Sequence, residues 1–171
     1  MIILDLRKLE KESISRGIPI LGSEKGSWLY EVILDLKPRK ILELGTANGY
    51  SGIILASQGA ELTTIEIDPR MAKEAKSNFK NFNISAEVIV GDAVAEIKKL
   101  NKHFDLIFID FAKKKYIKIL KDCIKLGGYI IADNINFEGC SDFKKEIFNN
   151  LNLKTEMINI KDGLSFSQVV S

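Results

Sequence analysis

Residues 41–52 read ILELGTANGYSG. An apolar run ends at Gly45, a small-residue turn carries the chain to Gly49, and a segment of helical spacing starts near Ser51. This is the pattern of a β-strand entering a helix through a tight turn, and it decides how the rest of the chain is read. The two glycines flank a place where backbone comes close to a ligand, and the start of the helix offers unpaired N–H groups there. The dinucleotide fingerprint GxGxxG would need glycine where Ala47 and Tyr50 stand, so a pyrophosphate is not the expected ligand.

Outward from this turn, runs rich in Ile, Val and Phe at 40–44, 62–67, 86–90, 105–110 and 129–132 alternate with helical segments near 51–58, 69–81, 94–100 and 113–125. Strands that are apolar nearly throughout belong in a parallel sheet covered on both faces. Asp68-Pro69 gives a helix start, with Asp as N-cap and Pro at the first helical position. The glycines of LGGY, residues 126–129, end the helix before the fifth strand. After Asn134 come a helix at 141–150 and strands at 154–160 and 164–170, joined through Asp162-Gly163 as a β-hairpin. Upstream, Trp28, Leu29, Val32, Ile33 and Leu36 recur at helical spacing and give an amphipathic helix that covers one face. The expected fold is α/β, a doubly wound sheet with an antiparallel hairpin at one edge.

The 171 residues, 46% of them hydrophobic, suit one domain over 1–171, with 1–37 as a helical segment packed on the sheet. A net charge of +2 provides no whole-chain attraction to nucleic acid or to an anionic membrane. Cys123 and Cys140 form no CxxC or Cys/His pattern, which disfavours a disulfide framework or structural zinc. The N-terminal stretch intersperses acids and bases among its apolar residues, unlike a signal peptide or membrane anchor. A soluble cytoplasmic protein is the expectation.

In open α/β sheets ligands bind at the carboxyl ends of the strands. Glu66 follows Gly45 by about twenty residues, a spacing that suits a carboxylate accepting from ribose hydroxyls. Gly91, Asp92 and Ala93, after the third strand, line an adenine slot in this reading. Asp92 either accepts from the exocyclic amine or caps the next helix, and the two roles are compatible. Glu43 supplies negative charge for an ammonium group. Together with Thr46, Ser51 and Ile67, these positions describe a site for a nucleoside without phosphates, and S-adenosylmethionine has these parts.

ELGTANGYSG, IEID, GDA, DLIFID and the terminal hairpin together resemble the class I S-adenosylmethionine-dependent methyltransferases. More narrowly, GTANGYS, IDFAKKKY and IADN resemble the metal-dependent catechol and caffeoyl-CoA O-methyltransferases, over roughly residues 18 to 170. The resemblance implies a Rossmann-like, mostly parallel seven-stranded sheet with a C-terminal antiparallel hairpin. It also implies that Asp110, Asp133 and Asn134 hold a divalent ion at neighbouring strand ends, an all-oxygen set suited to Mg²⁺. The alternative is that Asp110 contacts the cofactor's ammonium while Asp133-Asn134 caps a turn.

By the same resemblance Lys113 is the catalytic base, and Leu21, Gly22 and Ser23 lie over the methionine end of the cofactor. A lysine amine becomes a useful base only where neighbouring positive charge favours its neutral form. Lys114 and Lys115 read as solvated charge, and Tyr116 as packing. Ala112 stands where several relatives carry an acidic or aromatic residue, so their acceptor contacts do not transfer.

The leading expectation is methyl transfer to a hydroxyl of a small catechol-like acceptor. An RNA-directed enzyme acting on a hydroxylated tRNA base is less favoured, and a non-catalytic cofactor-binding domain is the third reading. The edge hairpin or the N-terminal helix offers a surface for a homodimer.

Overall fold

The computed structural model describes residues 2–170; Met1 and Ser171, the limits of the expected domain, lie outside them. Helices α1 (Ile2–Asp5), α2 (Arg7–Ser15) and α3 (Gly22–Leu36) precede the sheet. There follow β1 (Lys40–Leu44), α4 (Tyr50–Ala56), β2 (Glu61–Glu66), α5 (Pro69–Asn81), β3 (Ala86–Val90), α6 (Ala93–Glu96) and β4 (Phe104–Ile109). The chain continues through α7 (Tyr116–Leu126), β5 (Gly127–Asp133), α8 (Ser141–Asn149), β6 (Leu153–Ile158) and β7 (Leu164–Val169). The sheet order is β3-β2-β1-β4-β5-β7-β6, with β7 antiparallel to both of its neighbours and every other pairing parallel.

Alternation along the strands divides the core in two. Ile41, Leu62, Leu106 and Ile131 face α3 and α4, where Leu29, Ile33, Ile53 and Ile54 are buried. Leu42, Leu44, Ile107 and Ile109 face the opposite layer, built on Ile97, Ile119, Leu120 and Phe143. Covering β1 and β4 from both sides explains their nearly continuous apolar sequence. The N-terminal segment joins the first layer through Leu6 and Leu9.

Several boundaries differ from the sequence expectation, each for a physical reason. β4 stops at Ile109, so Asp110 opens the following loop, and its N–H donates to the Leu44 carbonyl at 2.8 Å. Residues Lys113–Lys115 form a 3₁₀ turn before α7, preceded by Ala112 without a side-chain cap. The segment 94–100 divides into α6, capped by Asp92, and a 3₁₀ turn at Ile97–Lys99. Gly127 does not cap α7 in a left-handed conformation: its φ is −114° and it starts β5. A Cβ there would lie 2.8 Å from Ile107, so the glycine serves close packing. The hairpin loop takes in residues 159–163, with Lys161 and Gly163 at positive φ, rather than a two-residue turn.

The topology reverses between β1 and β4, and this places the site. Gly45 has φ +100°, and a Cβ added to it would lie 1.9 Å from the Asp110 carbonyl oxygen. Gly45→Ala must therefore separate the ends of β1 and β4. It is expected to cost on the order of 3 kcal/mol in urea unfolding, from backbone strain and overpacking together. A loss below about 0.5 kcal/mol, the range of neutral surface changes, would contradict this account of the turn.

Candidate active site

A cavity of about 670 Å³ opens over the carboxyl ends of the parallel strands, a volume typical of small-molecule sites. Gly45, Thr46 and Ser51 border it after β1, Glu66 and Ile67 at the end of β2, and Gly91, Asp92 and Ala93 after β3. Asp110 and Lys113 line it beyond β4, and Asp133 and Asn134 at the end of β5. Leu21 and the segment before it form the remaining wall. The structure thus gathers most of the positions singled out in the sequence. Glu43 and Gly49 lie behind the wall.

Gly49, at φ +91°, carries the turn into α4, where a Cβ would sit 3.1 Å from the Phe79 ring. Glu43 requires a correction. Alternation points its side chain beneath the turn, fully buried, where it accepts from Ser51 Oγ and Thr64 Oγ1, both at 2.6 Å. Burial raises its pKa from the ordinary 4.5 to about 8, so near neutral pH it is mostly uncharged. It is placed to orient the Ser51 hydroxyl, not to meet an ammonium group.

Glu66 folds onto the glycine turn. Its Oε2 accepts from the Thr46 and Ala47 N–H groups at 3.1 and 2.7 Å, and its Oε1 from Asp68 N–H at 2.9 Å. The Thr46 and Ala47 N–H groups of the turn are thus taken by a side-chain carboxylate and not left for a ligand phosphate. Of about four acceptor positions on a carboxylate, roughly one remains for a ligand hydroxyl. Tyr50 also lines the cavity, and its buried hydroxyl has no protein partner among the described residues.

Asp92 caps α6, accepting from Val94 N–H at 2.8 Å, and its other oxygen pairs with Lys115. The Lys115 hydrogen bond comes first among the causes that lower the Asp92 pKa. Lys115 is thus half-buried at the cavity rim instead of lying on a solvated face, while Lys114 is exposed as expected.

Two residues before Lys115, Lys113 Nζ donates to Asp110 Oδ1 at 2.6 Å and to the Tyr116 hydroxyl at 3.0 Å. Tyr116 does more than pack. Its ring lies between Phe111 and Phe143, and its hydroxyl donates to the carbonyls of Ile109 and Asp133, each at 3.2 Å, tying β4 to β5. Asp133 is buried, which raises its pKa, and nearby Asp110 raises it further while Lys25 opposes the shift. Asp133 Oδ1 accepts from Lys25 and from Asn134 N–H, and the Asn134 amide nitrogen donates to Asp162.

One oxygen each of Asp110, Asp133 and Asn134 makes no hydrogen bond among the described residues. These three oxygens form a hard donor set that fits a divalent cation. No group of three or more His, Cys, Asp and Glu with that capacity occurs among the described residues, the third donor here being an amide.

Sequence reasoning missed Lys25, Asp162 and the unpartnered Tyr50 hydroxyl. The Asp162-Gly163 pair was visible only as a turn signal, and nothing local marks Lys25 as buried. Trp28 is half-buried against Phe166 in an edge-to-face contact, consistent with a core anchor.

This sheet order, with an antiparallel strand inserted beside β5, is that of the class I S-adenosylmethionine-dependent methyltransferases. The chain belongs to the O-methyltransferase family, whose model matches residues 2–161. Catechol O-methyltransferase B of Danio rerio is 31% identical over 169 residues, covering 86% of this chain and 64% of the relative. Catechol O-methyltransferase of Bos taurus is 29% identical over 182 residues, covering 98% and 65%. The chain thus spans slightly under two thirds of the length of these relatives. A Staphylococcus aureus structure described as a candidate caffeoyl-CoA O-methyltransferase superposes with a TM-score of 0.87 at 26% identity, covering 98% of this chain and 91% of that one. An O-methyltransferase from Bacillus cereus in complex with SAH gives 0.87 at 24%, covering 96% and 90%. No helix among the described residues is long and apolar enough to cross a membrane.

The raised Glu43 pKa has a testable sign. Between its ordinary 4.5 and about 8 the folded state holds a proton that the unfolded state releases, so its stabilisation is lost as pH rises through that window. Glu43→Gln is expected to remove up to about 1.4 kcal/mol per pH unit from the fall in stability. Urea unfolding from pH 5 to 8 measures this, and parallel curves for both proteins would refute a buried neutral Glu43.

Proposed function

We propose that the chain is an S-adenosylmethionine-dependent O-methyltransferase that uses a divalent cation, Mg²⁺ for example, to methylate a hydroxyl of a small catechol-like acceptor. The observation that carries this reading is the meeting of Lys113, Asp110, Asp133 and Asn134 in one cavity with the glycine turn and Glu66. In this reading Glu66 accepts from a ribose hydroxyl and Asp92 meets the adenine edge from its place between Val94 and Lys115. Ser51, oriented by Glu43, and the segment ending at Leu21 enclose the methionine end.

When bound, the cofactor supplies an electrophilic methyl group, and the cation lowers the pKa of an acceptor hydroxyl. Asp110, Asp133 and Asn134 would hold that cation. Lys113 is held by Asp110 and Tyr116 so that its amine faces the cavity. Its nitrogen would be placed to take the proton of the acceptor hydroxyl once a bound cation competes for Asp110, which pairs with its ammonium in this structure. Phe111 and Phe137 add apolar surface to the cavity, suited to a flat aromatic acceptor.

Transfer of labelled methyl to catechol is expected in the presence of Mg²⁺ and is expected to stop with chelator. Lys113→Met should lower kcat/KM by roughly 10²–10⁴-fold while leaving S-adenosylhomocysteine binding unchanged. Transfer indifferent to both chelator and Asp133→Asn would remove the cation from the mechanism. Absence of cofactor binding in calorimetry would overturn the activity as a whole.

A further inference from the structure

Beside Asp133 and Asn134 lie two side chains with no place in the mechanism above. Lys25 projects from α3, and its side chain is only 3% exposed. Its ammonium donates to Asp133 Oδ1 and to Asp162 Oδ1. Asp162 lies in the loop between β6 and β7, and its second oxygen accepts from Asn134 Nδ2. The Asn134 N–H donates to Asp133 Oδ1 at 2.8 Å, with Asn134 held at φ +56°.

A buried ammonium is tolerated only when it is paired and hydrogen-bonded, so Lys25 fixes where both carboxylates stand. Burial disfavours the charge on Lys25, but its two carboxylate partners outweigh this and keep it protonated. Asp162, clamped from one side, then settles a choice that an amide cannot make alone. With its NH₂ group committed to Asp162, Asn134 must present Oδ1 on its opposite side. Asp133, whose Oδ1 already accepts twice, has Oδ2 left to offer.

We propose that Asp162, clamped by Lys25, is a positioning residue for a divalent-cation site, holding the Asn134 amide with its oxygen toward the ion. The inference rests on the cation-dependent reading above and deepens it, because it makes the hairpin loop and α3 joint determinants of cation affinity. Partners that orient a ligating side chain in this way typically affect metal affinity by about 10–100-fold.

The test is Mn²⁺ binding to the full chain without acceptor, followed by electron paramagnetic resonance, for wild type and Asp162→Ala and for the same pair carrying Asn134→Asp. An aspartate at 134 has two equivalent oxygens and no amide to orient, whereas the charge removed at 162 is the same in both backgrounds. The expected result is Mn²⁺ affinity at least about tenfold weaker on Asp162→Ala in the wild-type background and a loss of no more than about threefold in the Asn134→Asp background, with S-adenosylhomocysteine affinity unchanged by Asp162→Ala. Equal losses in the two backgrounds would show that Asp162 acts only through its charge, and no loss in the wild-type background would show that Asn134 needs no orientation. Either result overturns the positioning role and leaves the cation reading standing. A wild type that binds S-adenosylhomocysteine but no Mn²⁺ overturns the cation reading, and the positioning role with it.

Discussion

The contact between Gly45 and the backbone of Asp110 is the constraint on which the rest of the site depends. β1 pairs in parallel with β2 on one side and β4 on the other. The turn after β1 is fastened to both neighbours, through Gly45 N–H on the Ile65 carbonyl at 3.0 Å and Asp110 N–H on the Leu44 carbonyl at 2.8 Å. Only a residue without a Cβ lets the two strand ends close to that distance. The cavity then opens where the chain paths diverge, beside this hydrogen-bonded turn.

Charge at the cavity is paired locally. Asp110 takes Lys113, Asp92 takes Lys115, and Asp133 shares Lys25 with Asp162. Glu66 differs from these cavity-lining carboxylates in being met by backbone N–H groups instead of a lysine. Glu43, out of reach of water and cations, is neutral near pH 7. Each acid is managed by the means its depth allows: lysine partners at the rim and at the buried Asp133, peptide dipoles at the turn, protonation in the core.

The fold was legible because its strands and helices differ in period and because Asp68-Pro69 and the glycine turn mark boundaries locally. Most positions that line the cavity were legible too, since in open α/β sheets the strand ends border one cleft. Glu43 was misjudged because its direction follows from alternation in β1: Leu42 and Leu44 face one layer, so Glu43 faces the other and falls under the turn. Lys115 was misjudged because it stands in a run of three lysines, and only the approach of α6 brings Asp92 within reach. Lys25 and Asp162 come together across more than a hundred residues of sequence, and pairing over that span leaves no periodic trace.

The position of β7 bears on the order in which the molecule can assemble. Among the described residues β6 has β7 as its only strand neighbour, and β7 pairs with β5 on its other side. As the chain emerges during synthesis, Leu153–Ile158 must wait with its backbone unpaired until Leu164–Val169 follows. The five parallel strands can form while the hairpin is still incomplete, whereas Asp162 reaches Lys25 and Asn134 only once the hairpin docks. Docking of the hairpin is therefore what completes the Asp133 side of the cavity. During that interval Lys25 and Asp133, both buried in the finished fold, must remain hydrated, so closure of the hairpin is also the step that dries this corner of the molecule.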